Sequence, residues 1–465
     1  MCNSPIIDAA ETNAPPLHAR TNADISGSSS LYEWLSLIAG FGGTAHDPLR
    51  DEAITQIRTR YAHDANALEA LCLALYKIDH FSEMLSVARQ GLDIDPRRVT
   101  LHHYAAHALG VRGRVAEAIV YSREAVRLTP DDPVMQCQLA CLELGLGDFK
   151  NGWARRNTIY ATPLARSTLV FPGFPLWNGE PVAGRQFLLV GEQGRGDEIQ
   201  FIRFAEWLHQ QGATVDVMVS QPLSRIATSM KGVRSVFTEI PRGPYDYWSH
   251  MLRMPEYMNL DLAMLPIAMP YIAAPPRDVD QWRVKIDAAS PLAAIKKTPR
   301  IGVVWSGGPY TALDRFRSIR VEALIPLFSH PGTTWFSVQK GECERDSEAL
   351  EDRFDLHTLG PVIGDFADTL AILETLDLLI TVDTAAAHLA GAANLPVWVL
   401  LPAYSELRWL TDRTDSPWYP SMRLFRQREL GEWAPVIEEA RDALQEWCVA
   451  YKKTVTAAPS DNYPA

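Results

Sequence analysis

The sequence lacks a long hydrophobic run, a dense set of cysteines and an excess of basic residues. In the 465-residue chain the most apolar stretch, residues 376–401, is interrupted by Asp377, Asp383, His388 and Pro396. We therefore expect no membrane-spanning helix. The N-terminal sequence has no basic segment followed by an apolar one, which argues against a secretory signal.

The six cysteines contain no CxxC pair, and Cys137 and Cys141 are the only two that lie close in sequence. A secreted disulfide scaffold would be denser, so this usage indicates a reducing, cytoplasmic compartment. The 44 basic and 56 acidic residues give a net charge of −12. That balance argues against a general binder of duplex nucleic acid, although it allows a local basic pocket.

A repeat with a 34-residue period occupies the N-terminal third of the chain. Its three copies begin at residues 65, 99 and 133, and Asp79, Gly113 and Gly147 occupy the same mid-repeat position. A helix–turn–helix period of 34 resembles the tetratricopeptide repeat. One repeat cannot bury its apolar face alone, so we expect the copies to stack, with residues 31–64 as a capping helix pair.

From about residue 185 the pattern changes to strands that alternate with helices, which indicates parallel sheets. The predicted strands are 185–191, 213–219, 300–307, 333–341, 378–383 and 396–402. The predicted organisation is a disordered segment (1–30), repeats (31–166), two α/β domains (167–295 and 296–451, the second with a closing helix over 431–451) and a flexible tail (452–465). The predicted fold class is therefore α plus α/β.

Four loops follow predicted strands, namely GEQGRGD (191–197), WSGGPY (305–310), QKGE (339–342) and VDTAAAH (382–388). In open α/β sheets, ligands bind at the carboxyl ends of the strands, so these loops are the candidate site. The chain has no GxxxxGK[ST] segment, and the first loop does not have the GxGxxG order of dinucleotide-binding proteins.

The first loop combines glycines with an acidic residue at the start of a helix. Gly194 and Gly196 allow a ligand to approach the backbone closely. Asp197 is a candidate catalytic carboxylate, and the alternative is that it only caps the helix beside it.

The fourth loop carries Asp383, Thr384, Ala385 and His388 where a strand ends and a helix begins. Small side chains there let a phosphate reach the helix N-terminus, whose N–H groups and dipole favour an anion. The alternative is capping by Asp383 or Thr384, with His388 as a packed helix residue.

Three cations could contact a diphosphate: Arg315, Arg317 and Lys340. The alternative for the two arginines is that they belong to a solvated loop, and the alternative for Lys340 is that it is an ordinary surface lysine. Two other patterns, the DVD at 278–280 and the pair His103 and His107, are explained better by a linker and by repeat packing than by a metal site.

Four segments together resemble a known group of proteins. They are EQGRGDEIQFIRF, IGVVWSG…DRFRSI, DFADTLAILETLDLLITVDTAAAHLAGAANLPVWVLLP and RWLTDRTDSPWYPSMRLFRQ. In this order they resemble bacterial tetratricopeptide-repeat glycosyltransferases, which are similar to the heptosyltransferase family (glycosyltransferase family 9) and share the layout of O-GlcNAc transferases. Arg195, Glu198, Asn394 and Leu395 depart from the pattern of the group.

The resemblance implies a GT-B fold, in which two Rossmann-like domains face a cleft. It implies inverting transfer from a nucleotide-sugar without a metal or other cofactor. Asp197 matches the general base, and Asp383, Thr384 and His388 match a segment at the donor phosphates or sugar. The other donor-side candidates are Gln193, Gly194, Gly196, Trp305, Ser306, Gly307, Arg315, Arg317, Gln339, Lys340 and Ala385.

The sequence thus predicts a glycosyltransferase whose repeats bind a protein or glycan acceptor, with no nucleic-acid partner. Stacked repeats also allow a homodimer. Two alternatives stay open: a GT-B scaffold without activity, which the departures at Arg195 and Glu198 favour, and a nucleotide-sugar epimerase, which the repeats fit poorly.

Overall fold

A computed structural model describes residues 30–40, 47–192, 194–265, 269–291, 295, 298–308, 313–404 and 406–457. The chain forms two compact units. The first extends to Ala165 and also includes Tyr404–Thr411, and the second comprises Arg166–Ala403 and the chain from Asp412 onward. Of the segment predicted to be disordered (1–30), residues 1–29 lie outside the described residues.

The first unit consists of consecutive antiparallel helices. They are α1 (Leu31–Gly40), α2 (Pro48–Arg60), α3 (Ala65–Lys77), α4 (Phe81–Ile94), α5 (Val99–Val111), α6 (Val115–Leu128), α7 (Pro133–Gly145) and α8 (Phe149–Arg156). The starts of α3, α5 and α7 are 34 residues apart, as are those of α4, α6 and α8, so the predicted repeat is confirmed.

The turn inside each repeat needs a left-handed backbone residue. Asp79, Gly113 and Gly147 have φ angles of 58°, 76° and 85°. Glycine, and less often aspartate, adopts this conformation at low cost. Asp64 and Asp132 start α3 and α7 by accepting hydrogen bonds from the second and third N–H groups of each helix. The shared turn positions in the sequence therefore have a conformational cause.

The tetratricopeptide-like unit also contains Tyr404–Thr411, which comes from the far end of the chain. Trp409 and Leu410 are buried. The Thr411 N–H donates to the Gly145 carbonyl at the end of α7, at 3.1 Å. No sequence pattern indicated that this segment belongs to the repeat unit.

The second unit contains two parallel sheets. After α9 (Pro163–Thr168), the first sheet has the strands β1 (Gln186–Val190), β2 (Thr214–Met218), β3 (Val233–Phe237) and β4 (Tyr247–His250), in the order β3-β2-β1-β4. Its helices are α10 (Arg195–Phe201), α11 (Phe204–Gln210), α12 (Ser224–Ala227), α13 (Met254–Tyr257) and α14 (Pro276–Ala289).

The second sheet has six parallel strands in the order β10-β9-β8-β5-β6-β7. The strands are β5 (Arg300–Val304), β6 (Thr334–Ser337), β7 (Leu356–Thr358), β8 (Leu378–Val382), β9 (Val397–Leu401) and β10 (Met422–Arg426). The helices are α15 (Asp314–Arg317), α16 (Ile325–Phe328), α17 (Phe366–Leu373), α18 (Ala385–Ala392) and α19 (Ala434–Ala457). Because α19 extends to Ala457, the first part of the predicted flexible tail is helical.

The strand order places the candidate loops at the centre of each sheet edge. The direction of strand addition reverses between β1 and β4 and between β5 and β8. Ligands of open α/β sheets bind at such switch points. The loop from Gly191 to Asp197 follows β1, and Asp383 follows β8. The two-sheet, Rossmann-like arrangement agrees with the predicted fold class.

Among the residues that the structure describes, every helix is too short or too polar to span a membrane. Four of the described cysteines, Cys72, Cys137, Cys343 and Cys448, are free thiols, whereas Cys141 is disulfide-bonded. One bridge is far from a disulfide scaffold, and the reducing compartment stays a prediction.

Candidate functional site

The first candidate loop ends at the N-terminus of α10. Gly194 is the N-cap residue, and the Asp197 carboxylate accepts a hydrogen bond from its N–H at 3.3 Å. Asp197 is only 7% exposed. The capping role considered from the sequence is therefore present, and it holds the carboxylate at the start of the helix.

The second candidate loop ends at the N-terminus of α18. Thr384 is the N-cap residue, but its side chain makes no capping hydrogen bond and contacts the Thr381 hydroxyl at 2.9 Å instead. The next residues, Ala385–Ala387, have the smallest side chains that a chiral residue can have. The start of α18 is therefore a helix N-terminus that small residues surround, which suits an anion.

These two loops meet. A Cβ atom placed on Gly196 would lie 2.8 Å from His388 Cδ2, 3.4 Å from His388 Nε2 and 3.7 Å from Ala385 Cα. The side chains of Asp383 and His388 are 7% and 2% exposed. The structure thus brings Gly196, the neighbour of Asp197, against Ala385 and His388, which follow Asp383 and Thr384, although almost 190 residues separate the loops.

A buried polar network lies behind this contact. His388 Nδ1 is 2.9 Å from the Tyr419 hydroxyl. Arg203, which is 0% exposed, donates to the Gln200 and Trp418 carbonyls and to the Tyr271 hydroxyl. Its guanidinium lies over the rings of Tyr271 and Tyr419, at 4.5 and 4.8 Å from their centroids. Sequence reasoning found His388 but missed Arg203, Tyr271 and Tyr419.

The two departures beside Asp197 have different surroundings. The Glu198 carboxylate accepts hydrogen bonds from the Ser220 N–H and hydroxyl, the latter at 2.6 Å, and it contacts Gly191. Burial raises the pKa of Glu198 despite these bonds. Glu198 therefore joins the ends of β1 and β2, whereas Arg195 is exposed. Gln193, predicted as a donor contact, lies outside the described residues.

The turn after β5 is shaped by one amide side chain. Gln339 Oε1 accepts the N–H groups of Trp305 and Ser306, each at 3.0 Å, and its Nε2 donates to the Ser306 and Lys340 carbonyls. The Gly307 N–H donates to the Ser318 hydroxyl at 3.1 Å. The side chains of Gln339 and Ser318 thus hold the backbone of the loop at the end of β5, which includes Ser306 and Gly307.

The three predicted cations do not form one cluster in the described residues. Arg317 pairs with Asp314 at 2.6 Å and packs against Gly307. Arg315 is exposed on the same short helix. Lys340 is exposed, pairs with Glu344 at 2.9 Å and donates to the Gly360 carbonyl. Arg317 is thus closest to a site at the end of β5, while Lys340 holds a neighbouring loop.

A further cation at the end of β10 was missed. Burial lowers the pKa of Arg426 to about 10, although the charges of Asp412 and Asp383 favour its charged form. A guanidinium therefore balances the charge of Asp383 at the end of β8. The sequence signal was weak, because β10 itself was not predicted.

The described residues contain no group of three or more His, Cys, Asp or Glu side chains that could hold a metal ion. The DVD segment is on the first turns of α14 and not in a linker. There Asp278 pairs with Arg225 and Asp280 with Arg283. His103 and His107 are buried in α5, where they pack on aromatic rings.

No family model matches the chain. A curated relative, Protein FlbA of Caulobacter vibrioides, is 23% identical over 450 residues, which cover 83% of this chain and 74% of FlbA. A glycosyl transferase family 9 structure from Veillonella parvula overlaps 58% of this chain and 99% of its own, with 12% identity and a TM-score of 0.41. An O-GlcNAc transferase structure from Thermobaculum terrenum overlaps 92% of this chain and 94% of its own, with 14% identity and a TM-score of 0.27.

Because both TM-scores are below 0.5, the fold assignment rests on this chain's own helix spacing and strand order.

Proposed function

We propose that the chain is a glycosyltransferase that moves a sugar from a nucleotide-sugar to a hydroxyl group. One observation carries this proposal: Gly196, which directly precedes Asp197 on α10, contacts Ala385 and His388 in the first turns of α18. A base and an anion site close together are what transfer from a diphosphate leaving group requires.

In the proposed reaction, Asp197 accepts the proton of the acceptor hydroxyl as that oxygen attacks the anomeric carbon. The bond from that carbon to the diphosphate breaks, and the N–H groups at the start of α18 stabilise the charge of the leaving group. Attack opposite the leaving group makes the transfer inverting. The same helix N-terminus, with Arg317 near Gly307, would allow the reaction without a metal.

The acceptor is proposed to be a protein or a glycan that binds the repeats. Stacked repeats present an extended surface for such partners. A homodimer through the repeats belongs to the same proposal.

The first test is thermal unfolding of the full chain with UDP, GDP, ADP, CMP and TDP. A nucleotide at 100 times its Kd stabilises the folded state by about 2.7 kcal/mol. We expect one nucleotide to raise the midpoint by a few degrees and to identify the donor class. No shift with any of them contradicts a nucleotide-sugar site.

The second test is Asp197→Asn. The amide oxygen can still accept from the Gly194 N–H, so α10 keeps its cap while the base is lost. We expect kcat to fall by about 100-fold or more with unchanged nucleotide affinity. Asp261→Asn is the matched control, because Asp261 also caps a helical turn, through the Ala263 N–H at 2.9 Å. Full activity of Asp197→Asn would exclude Asp197 as the base.

A scaffold without activity is the second candidate. Asp197 has a complete structural role as a helix cap, and this observation favours the scaffold. The scaffold would be supported if the protein binds a nucleotide but neither the unchanged protein nor any variant transfers or releases a sugar. Conversion of a nucleotide-sugar in the absence of any acceptor would instead indicate an epimerase.

A further inference from the structure

Helix α10 carries Asp197 in its first turn but has only seven residues. A helix this short is not stable alone, and the carbonyls of its last turn have no partner within the helix. The position of α10, and with it the position of Asp197, therefore depends on contacts from other parts of the chain.

Two side chains fasten the end of α10. The Tyr271 hydroxyl donates to the Ile199 carbonyl at 2.9 Å, and Arg203 Nε donates to the Gln200 carbonyl at 2.7 Å. Arg203 Nη2 also donates to the Tyr271 oxygen at 3.0 Å, so the two side chains support each other. The helix dipole favours a cation at this end of α10 as well.

The same two residues reach the part of the chain that carries the second sheet. The Tyr271 N–H donates to the carbonyl of Ala392, the last residue of α18, at 3.1 Å. Arg203 Nη1 donates to the Trp418 carbonyl, in the segment before β10, at 3.1 Å. Arg203 and Tyr271, here called the clamp, therefore join the end of α10 to the end of α18.

The clamp depends on the guanidinium of Arg203. This side chain is 0% exposed, and no carboxylate among the described residues pairs with it. A buried cation is costly unless its N–H groups are bonded. Three oxygen acceptors and three aromatic rings take the place of a counter-ion; the ring centroids of Tyr271, Tyr419 and Trp418 lie at 4.5, 4.8 and 5.4 Å. Only a planar fork reaches all of these partners, and a lysine ammonium does not.

We propose that Arg203 is a positioning residue, which holds α10 against α18 through the clamp and so fixes the first turn of α10, with Asp197, beside the first turn of α18. The two helices already meet at their other ends, where Gly196 contacts Ala385 and His388. Contacts at both ends restrain α10 from sliding or tilting on α18. For its consequence in catalysis this inference rests on the proposed function, in which Asp197 is the base.

Hydrogen exchange of the full chain tests the clamp without a substrate. Arg203→Lys keeps the charge but cannot bond to all three oxygens, so we expect the amides of α10 and α18 to exchange about 10-fold faster or more. Tyr271→Phe keeps the ring beside the guanidinium and loses the hydroxyl, so we expect a smaller increase, about fivefold, in the same two helices. This variant also tests the clamp if Arg203→Lys does not fold.

Arg253→Lys is the matched control. Arg253 is also buried, donates to the Trp177 carbonyl and the Tyr257 hydroxyl, and lies 4.4 Å from the centroid of the Tyr257 ring. These partners belong to the part of the chain that carries the first sheet, so exchange of α18 should stay unchanged. Unchanged exchange of α18 in both Arg203→Lys and Tyr271→Phe, or an equal increase in Arg253→Lys, would overturn the proposal.

A double variant tests whether Arg203 acts through Asp197. The probes are the nucleoside diphosphate selected by thermal unfolding and its hexose conjugate, such as UDP with UDP-glucose or ADP with ADP-glucose. For Arg203→Lys we expect Kd for the diphosphate to stay within about twofold and kcat for release of the sugar to fall about 10- to 100-fold, because a displaced base costs rate. In the Asp197→Asn background the base is already lost, so the same change should lower kcat by less than about twofold.

A merely structural role predicts a different result. Arg203→Lys would then lower the thermal midpoint and leave kcat of the folded protein unchanged, which contradicts the proposal. Losses that multiply in the double variant would also contradict a role through Asp197. If the unchanged protein binds no nucleotide or releases no sugar, the proposed function fails, while hydrogen exchange still decides whether the clamp holds α10 to α18.

Discussion

At the scale of single residues, the glycines of the loop before α10 have different neighbours. A Cβ atom on Gly196 would overlap the ring of His388, whereas one on Gly194 would meet only Asp197 Oδ2, at 3.4 Å. Neither residue has a positive φ angle. Gly196 is therefore required by a close approach of two helices, and Gly194 is not.

Gly196→Ala should lower the free energy of unfolding by about 1–3 kcal/mol, because the new methyl group overlaps His388 in a packed region. Alanine's higher helix propensity offsets only about 0.5–1 kcal/mol of this. Gly194→Ala is the matched control, with an expected loss of only about 0.5 kcal/mol, because alanine is a poorer N-cap residue than glycine. Urea unfolding, followed by a signal from the second unit, measures both; equal stability of the two variants would show that α10 and α18 are not in this contact.

A functional residue could be predicted from the sequence where the residues that define its role lie nearby in the chain. Asp197 and His388 were found because each follows a strand in a short, recognisable segment. Arg203 contacts the Trp418 carbonyl 215 residues away and the Tyr271 hydroxyl 68 residues away. A lone arginine in an amphipathic helix carries no local sign of such partners, so the buried polar network around Arg203 could not be predicted.

At the scale of elements, α5 buries two histidines in the repeat unit. Burial lowers the pKa of His103 to about 4, despite a hydrogen bond with Gln138, and lowers that of His107 to about 3. Their usual pKa is 6.5. Both rings are thus neutral when the helix is folded and take up protons near pH 6.5 when it unfolds.

The stability of α5 should therefore depend on pH. Below pH 6.5 the unfolded state binds more protons than the folded state, so stability is fully present above that pH and is lost as pH falls toward about 4. Well below pH 6.5 the loss is at most about 1.4 kcal/mol per pH unit for each histidine. Hydrogen exchange of α5 amides in the full chain, corrected for the intrinsic rate, should show weaker protection at pH 5 than at pH 7.

His107→Phe should weaken this pH dependence, since it removes one of the two buried titrating rings. His63→Gln is the control, because His63 is exposed beyond the end of α2 and its replacement should leave the pH dependence unchanged. An α5 whose protection is the same at both pH values would contradict the argument.

Elements were predicted where a long pattern supported them. The helix pairs of the repeats recur with a 34-residue period, so each copy supported the others. The sequence missed β3, which is only half-buried, and β7, which has three residues, because neither has a clear apolar run. The order of the strands in each sheet could not be predicted either, because parallel neighbours such as β5 and β8 are separated by more than 70 residues in the chain.

At the scale of the whole molecule, one cation joins the parts of the second unit. Arg225, on α12 of the first sheet, pairs with Asp365 and Asp368 at the start of α17 and with Asp278 on α14. Burial raises the pKa of Asp368, but hydrogen bonds from Arg225 and other donors outweigh it and hold the pKa below its usual value. Three carboxylates therefore depend on a single guanidinium.

Arg225→Gln should leave these three acidic groups close together without compensation. We expect the thermal midpoint of the second unit to fall by about 2–4 °C at low ionic strength, and by less at 1 M salt, where repulsion is screened. Arg283→Gln is the control, because Arg283 forms only an exposed pair with Asp280. A midpoint change that is equal for both variants, or independent of salt, would show that the cluster does not stabilise the unit.

The segment Tyr404–Thr411 has a consequence for modularity. Because it leaves the second unit between β9 and β10 and ends on the Gly145 carbonyl, the polypeptide passes between the units three times and not once. A cut after Ala165 would not separate two independent pieces: the N-terminal piece would lose buried Trp409, and the C-terminal piece would expose it. Exchange of the repeats for those of another protein, in evolution or in the laboratory, would therefore require exchange of this distant loop as well.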